Sequence, residues 1–383
     1  MENTVKVFIV EENKLLQQRT VAIVRQTTNL EVVGIADNLA QGFDAVLAVQ
    51  PAVVLLDVVP VRKNIEPLIT KLCQAVPQAI VICMNDRWHE EEAQRILAAG
   101  ASAYLMKPFG KEELVDALAA IYQEQKAVSQ QKDGKIIAFF TPKGGYGKSS
   151  LVVNMAIGLA EETGEKVGIV DANFQFGDIA VFCNVTPTAS VFEAARDLAH
   201  LTPVLLNNYF MGFTPAIKVL AAPLRPEQGD LITSEQIKAT LTMAQQLFSY
   251  IVVDTPSGFN DISLAVTKAA DIVYVLCAMN TGLELDHLKR SLDYFKELGY
   301  APDKLKVIIN RVPRRSLAAL RAVEEQINHP VVTLLPNDFD LAVTASNQGR
   351  PMIAVGPESG LVRGVMDIVK NTVAYDSSSG RDL

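Results

Sequence analysis

The chain has 383 residues, 49% of them hydrophobic and 20% charged, with a formal net charge of -8. That length suits two or three domains, each large enough to bury its own core. The negative balance argues against nucleic acid as the main partner, no apolar run approaches the roughly 18 residues of a spanning helix, and MENTVKVFIVEENK has neither the basic start nor the apolar core of a signal peptide. The expected location is therefore the cytoplasm, with any membrane association made through partners.

Short apolar runs alternate with helix-period segments throughout, the pattern of βα repeats around parallel sheets. The first five strands read VKVFIV (5–10), EVVGIA (31–36), AVVLLD (52–57), AIVIC (79–83) and ASAYLM (101–106). They predict a (βα)5 domain over residues 1–122, followed by a polar linker over 123–134 that closes on Gly134. A second series follows: KIIAFF (135–140), KVGIVD (166–171), IKVLAA (217–222), YIVVD (250–254), DIVYVLCA (271–278), LKVIIN (305–310) and VVTLLP (331–336). Continuous apolar runs of this kind suit strands covered by helices on both faces. The fold class is α/β, with two doubly wound domains: a flavodoxin-like (βα)5 unit, then a domain over 135–374 with a mostly parallel sheet. The last nine residues, YDSSSGRDL, read as a disordered tail over 375–383.

Cys73, Cys83, Cys183 and Cys277 show no C-x-x-C spacing and read as inert thiols. His89 and His287 stand in charged, helical surroundings that predict solvent exposure.

In the first domain Glu11 and Glu12 end the first strand, Asp57 ends the third and Lys107-Pro108 follows the fifth. Open α/β sheets place their sites at the carboxyl ends of strands. These groups converge there on a pocket suited to a divalent cation and a phosphoryl group. With GASAYLMKPF around the lysine, residues 5–122 resemble the response-regulator receiver family. The resemblance implies that Asp57 is the phosphoacceptor, that Glu11 or Glu12 holds Mg²⁺, and that Lys107 pairs with the phosphoryl oxygens. Receivers carry Ser or Thr at the end of the fourth strand, where VICMND offers Met84 with Asn85 next, and VVPVRKNIEP after Asp57 lacks the family's Met-Pro and Asp-Gly. A thioether cannot donate the switching hydrogen bond. Two expectations stand: phosphorylation-driven switching, and a receiver fold kept as a docking or dimerisation module.

In the second domain, FFTPKGGYGKSS leads a strand through a Gly-rich turn into the helix LVVNMAIGLAEE. This is the context of a phosphate loop, with backbone N–H groups and a helix N-terminus facing an anion. The phosphate-contacting set is Gly144, Gly145, Gly147, Lys148, Ser149 and Ser150. Lys148 reaches the β and γ phosphates and Ser149 supplies a hydroxyl to Mg²⁺. Pro142 stands where the usual motif has its first glycine, and a second lysine, Lys143, follows it.

The K-G-G-x-G-K-[ST] form resembles the deviant Walker A motif of the ParA/MinD family of dimerising ATPases, and the resemblance extends over 135–372. It implies ATP and Mg²⁺ as ligands. VGIVDAN resembles switch I, with Asp171 near Mg²⁺, and YIVVDTPSG resembles Walker B and switch II, with Asp254 on Mg²⁺ through water and Gly258 close to the γ-phosphate. VIINRV supplies Asn310 and Arg311 where the family reads adenine; LLPNDFDLAVTASNQGRPMI, with Pro336, is similar to its adenine-side loop. On the same resemblance, Lys143 corresponds to the lysine that crosses to the partner subunit's phosphates, which implies a homodimer on ATP. Asn173 stands where a second switch I carboxylate orients the attacking water. An amide is a poorer proton acceptor, so a weak ATPase is expected; Asp178 is a candidate substitute acid, against a plain surface or capping role.

A receiver-like domain ahead of such an ATPase, with DANFQFGDIAVF after the second strand of the latter, resembles the TadZ/CpaE family of pilus-assembly localisation proteins. The resemblance implies partners among pilus or secretion-machine proteins and placement at a cell pole or the inner face of the membrane. The alternative is a ParA-type DNA or cargo partitioning ATPase, using Arg311, Arg314, Arg315 and Arg321 as a basic face. Against it stand the net charge and Glu324 and Glu325 beside those arginines. The last helix, SGLVRGVMDIVKNTVA, has few cations and reads as packed on the sheet, not as a membrane anchor.

Overall fold

The computed structural model describes residues 4–59, 65–76, 79–130, 134–279, 283–313 and 320–379. The chain divides into two compact units, Met1–Gln130 with Ala199–Tyr209, and Gln131–Leu198 with Phe210–Leu383.

The first unit is built on β1 (Val5–Val10), β2 (Leu30–Ala36), β3 (Val53–Asp57), β4 (Ile80–Asn85) and β5 (Ala103–Met106), all parallel, in the order β2-β1-β3-β4-β5. The helices are α1 (Lys14–Gln26), α2 (Leu39–Val49), α3 (Glu66–Ala75), α4 (Glu90–Ala98) and α5 (Lys111–Gln130). Strand side chains alternate between faces. Phe8, Val10, Val54, Leu56, Val81 and Cys83 join one core with Val46, Ile69, Leu72 and Ile96 of α2, α3 and α4. Val7, Ile9, Val53, Leu55, Ile82 and Met84 join the other with Val24 of α1 and Leu114 and Leu118 of α5. Both faces are covered, which is why the strands read as unbroken apolar runs. Asn13 caps α1 by accepting from the N–H groups of Leu15 and Leu16.

The expected linker is largely helical: α5 continues to Gln130. The stretch from Gln123 has no Gly or Pro until Gly134, and its Gln, Glu, Lys and Ala are good helix formers.

The second unit holds β6 (Lys135–Phe140), β7 (Val167–Asp171), β8 (Met211–Thr214), β9 (Ile217–Leu220), β10 (Tyr250–Asp254), β11 (Ile272–Ala278), β12 (Leu305–Val312) and β13 (Val331–Pro336). Their order is β13-β12-β11-β6-β10-β7-β9-β8. Every pairing is parallel except β8 with β9. The strand β8, absent from the sequence reading, is a four-residue edge strand containing Gly212, too short to give a periodic signal.

The C-terminal helix, Gly360–Ser379, buries Leu361, Val365, Ile368 and Val369, and the Thr372 hydroxyl shares a 2.7 Å hydrogen bond with Tyr274. Its apolar face is therefore consumed inside the unit. The helix also overruns the expected tail: Lys306 Nζ lies 4.8 Å from the centre of the Tyr375 ring, a cation–π contact that holds that turn. Residues 380–383 of the tail lie outside the described residues. Among the described residues no helix is long and apolar enough to cross a membrane.

Candidate nucleotide site and receiver pocket

Three strands of the second unit end side by side: Asp254 of β10 is in register with Phe139 of β6 on one side and Asp171 of β7 on the other. The turn after β6 uses left-handed φ values of 83° at Gly145 and 87° at Gly147, a region where a Cβ is disfavoured. It leads into α6 (Lys148–Thr163). The Lys148 ammonium, 8% exposed, is ion-paired with Asp254, and Ser149 Oγ donates to the other Asp254 oxygen at 2.6 Å. Asp171 is fully buried, and its two oxygens accept the N–H groups of Asn173 and Ile179, each at 3.1 Å. Burial first, and the Asp254 charge second, push its pKa up to about 8.

Gly258, at φ 77°, donates its N–H to the Thr141 carbonyl at 2.8 Å. Thr141 Oγ1 bonds Ser257 Oγ at 3.2 Å, and Thr255 Oγ1 donates to the Phe139 carbonyl at 2.7 Å. The segment after β10 is thus stitched to the loop after β6.

Lys143 is exposed, like its neighbours Gly144 and Gly145, and makes no ion pair among the described residues. Ser150 Oγ faces Met352 Sδ at 3.7 Å. Asn310, placed in the sequence reading at the adenine edge, is 7% exposed: its Nδ2 donates to the Tyr146 carbonyl at 2.9 Å and its Oδ1 accepts the Arg311 N–H at 2.9 Å. Arg311 sits at φ 55°. Pro336 ends β13 and packs near Gly360. The Asn173 amide is spent within its own loop, donating to the Phe176 carbonyl at 3.0 Å. Asp178 is exposed and makes no cap hydrogen bond. Arg314 and Arg315 lie outside the described residues.

The sequence reading missed Asn154. It is 3% exposed, donates to the Ser150 carbonyl at 2.7 Å and accepts the Ile353 N–H at 2.8 Å, tying the first turn of α6 to the segment after Pro351. Its signal was a single amide inside the buried run LVVNMAIGLA.

The donor set fits a hard cation. Asp254, Asp171 and Ser149 offer oxygens only, and no cluster of three or more His, Cys, Asp or Glu stands among the described residues to cage a metal. That matches Mg²⁺, which is held by one or two carboxylates with phosphates and water. Phosphate oxygens would give Lys148 a partner in exchange for Asp254.

In the receiver pocket Lys107 Nζ donates to Glu11 Oε2 at 2.9 Å and Asp57 Oδ1 at 2.7 Å, with all three side chains buried. Burial pushes the Glu11 carboxyl up against the lowering hydrogen bond from Lys107. Glu12 is exposed. At the end of β4, Met84 is in register with Asp57 and fully buried in the core, and the strand runs on to Asn85, 4% exposed. Strand parity sends Asn85 to the face opposite Met84, the face of Tyr104, whose hydroxyl donates to the Arg87 carbonyl at 2.8 Å. Residues 60–64 of the loop after Asp57 lie outside the described residues. Cys83 and Cys277 are buried as expected and His89 is exposed, but His287 is only half-exposed, with its Nδ1 buried.

The profile of the response regulator receiver domain matches residues 7–119, and that described as NUBPL iron-transfer P-loop NTPase, of the ParA type, matches 133–302. An uncharacterized ATP-binding protein of Methanocaldococcus jannaschii is 24% identical over 248 residues, 62% of this chain and 87% of that protein. A ParA family ATPase from Chlorobium tepidum superposes with a TM-score of 0.58 at 22% identity, covering 62% of this chain and 98% of that one. MinD of Pyrococcus horikoshii, complexed with Mg-ADP, gives 0.54 at 17% identity, covering 64% and 98%. These likenesses agree with the fold of the second unit.

Proposed function

We propose that this chain, a receiver domain fused to a ParA/MinD-family P-loop NTPase, is an ATP-dependent dimerisation switch that localises or organises assembly of a type IV (Tad/Flp) pilus or secretion machine. P-loop ATPases of this family bind nucleotide with Mg²⁺. Here Gly144, Gly145, Gly147, Lys148, Ser149 and Ser150 would cradle the phosphates, with Gly258 at the γ-phosphate, and Ser149, Asp171 and Asp254 would serve the metal. The metal would neutralise phosphate charge. Asn154, Arg311 and Pro336 belong to the base side of the site or support it.

The observation that carries the switch is the division of labour between two lysines. Lys148 is buried on Asp254, whereas Lys143 is exposed at the same loop and makes no ion pair among the described residues. A cation free of its own subunit's acids is available to screen the triphosphate of a second copy, and two facing triphosphates need that screening to approach. Slow turnover is supported by Asn173, an amide where the resembling family has a carboxylate, whose Nδ2 donates to the Phe176 carbonyl. The receiver serves as a docking module, its pocket already closed by Lys107 on Glu11 and Asp57. The pilus assignment rests on the pairing of these two domains with the DANFQFGDIAVF segment.

The test is Lys143→Ala, scored for ATP-dependent dimerisation by size exclusion and for ATP affinity by titration. Dimerisation falls at least about tenfold while affinity stays within about threefold; equal loss of both sinks the reading. Recovery of pilus or secretion components with the wild-type chain, and not with Lys148→Ala, tests the assembly role; recovery of a partition protein instead overturns it.

A further inference from the structure

The strand order divides the sheet around β6: β10 and β7, with Asp254 and Asp171, lie on one side, and β11, β12 and β13 on the other. Phosphates on the loop after β6, with their metal on the acid side, leave the second side for the nucleoside, where Asn310 of β12 and Pro336 of β13 stand. The chain leaves β13 there and returns to α6 at the short helix Met352–Val355. That helix has no cap of its own. It starts after Pro351, which makes no side-chain cap hydrogen bond, so the N–H groups of its first turn need acceptors from elsewhere. Asn154 supplies one from 199 positions away in the chain: its Oδ1 accepts the Ile353 N–H at 2.8 Å, while its Nδ2 donates to the Ser150 carbonyl at 2.7 Å. The second bond fixes the amide, because it holds Nδ2 on the backbone of α6 and turns Oδ1 outward. At 3% exposure the amide is out of reach of bulk water. Met352, also 3% exposed, packs beside this contact, with its Sδ facing Ser150 Oγ. One buried amide thus joins the helix that starts at the phosphate loop to a segment on the nucleoside side.

We propose that Asn154 is a positioning residue for nucleoside recognition: by holding Ile353 it keeps the segment 351–355 ordered as a wall of the nucleoside side. The inference rests on the nucleotide reading above and adds to it the residue that sets the preference for a nucleoside triphosphate over a bare polyphosphate. Without the Oδ1 acceptor the segment starts unordered, and a nucleoside must order it at a cost in binding. Inorganic tripolyphosphate needs only the loop after β6, Lys148 and the metal-side groups, so it meets none of that cost. A residue that merely held the fold together would weaken both ligands alike.

Calorimetric titration of the full-length chain with ATP and with tripolyphosphate, both in Mg²⁺, tests this in two variants. Asn154→Thr keeps a donor for the Ser150 carbonyl, since a threonine hydroxyl bonds the carbonyl four residues back, but its shorter side chain brings no acceptor to Ile353. Asn154→Asp keeps the acceptor and loses the donor. Wild type is expected to bind ATP at least about tenfold more tightly than tripolyphosphate. In Asn154→Thr the ATP affinity falls at least about fivefold while that for tripolyphosphate stays within about twofold, and Asn154→Asp recovers most of the ATP loss. Amide exchange gives a ligand-free readout: the Ile353 N–H exchanges at least about fivefold faster in Asn154→Thr than in wild type. If Asn154→Asp does not fold, Asn154→Thr decides alone. Equal losses of ATP and tripolyphosphate in Asn154→Thr, or an unmoved ATP affinity, overturn the inference, as does a folded Asn154→Asp that binds ATP as weakly as Asn154→Thr. These outcomes leave the nucleotide reading standing; a wild-type chain that binds ATP no better than tripolyphosphate, or binds neither, overturns both.

Discussion

Lys148→Ala removes the cation from an ion pair in which Asp254 is fully buried, with buried Asp171 next to it in register. Ser149 still donates to Asp254, but a hydroxyl does not balance a charge. Breaking one side of a buried pair costs about 3–5 kcal/mol, and at about 2–4 °C per kcal/mol for a unit of this size the melting of the second unit falls by roughly 6–20 °C. Lys143→Ala, at an exposed position of the same loop with no ion pair among the described residues, shifts melting by about 1 °C or less. A proton can replace the lost ammonium, so the Lys148→Ala deficit is smaller at pH 6 than at pH 8.5. Calorimetry of the ligand-free variants at both pH values provides the assay. Equal melting of Lys148→Ala and Lys143→Ala at both would show that the pair does not hold the site together.

The raised pKa of Asp171, about 8 against an ordinary 3.8, means that the folded chain holds this proton more tightly than the unfolded one. Its stabilising contribution is complete below about 3.8 and is lost as pH rises toward 8. Ligand-free melting should therefore decline across that window, and Asp171→Asn should flatten the decline; an unchanged slope contradicts the assignment. Asn310→Ala leaves the buried Tyr146 carbonyl without its donor, at about 1–3 kcal/mol, so melting of the second unit falls by roughly 2–12 °C while ATP and GTP affinities change alike. Loss confined to ATP would mean that Asn310 reads the base after all. In the receiver, Asp57→Asn should leave ATP-dependent dimerisation within about twofold, since the pocket is closed by Lys107; abolished dimerisation would restore phosphorylation as the trigger.

The βα order was legible because strands covered on both faces are written as unbroken apolar runs, and Lys148, Ser149, Asp171 and Asp254 were legible because each sits at a strand end or helix start. Three things were not. The stretches 123–130 and 375–379 look like linker and tail by polarity, yet nothing in them breaks a helix, and α5 and the helix Gly360–Ser379 run on through them. The strand β4 was ended two residues early, at Cys83, because the polar Asn85 and Asp86 hid its continuation to Asn85. Asn310 and Asn154 owe their partners, Tyr146 and Ile353, to tertiary neighbours far away in sequence, which local pattern does not encode.

The central claim is that bound ATP is read out as a dimer. Sedimentation velocity of the wild-type chain with Mg²⁺ and ATP, against Mg²⁺ and ADP, tests it directly. The account predicts twice the chain mass of 41.7 kDa with ATP and the single-chain mass with ADP. One mass in both nucleotides, single or doubled, would contradict it.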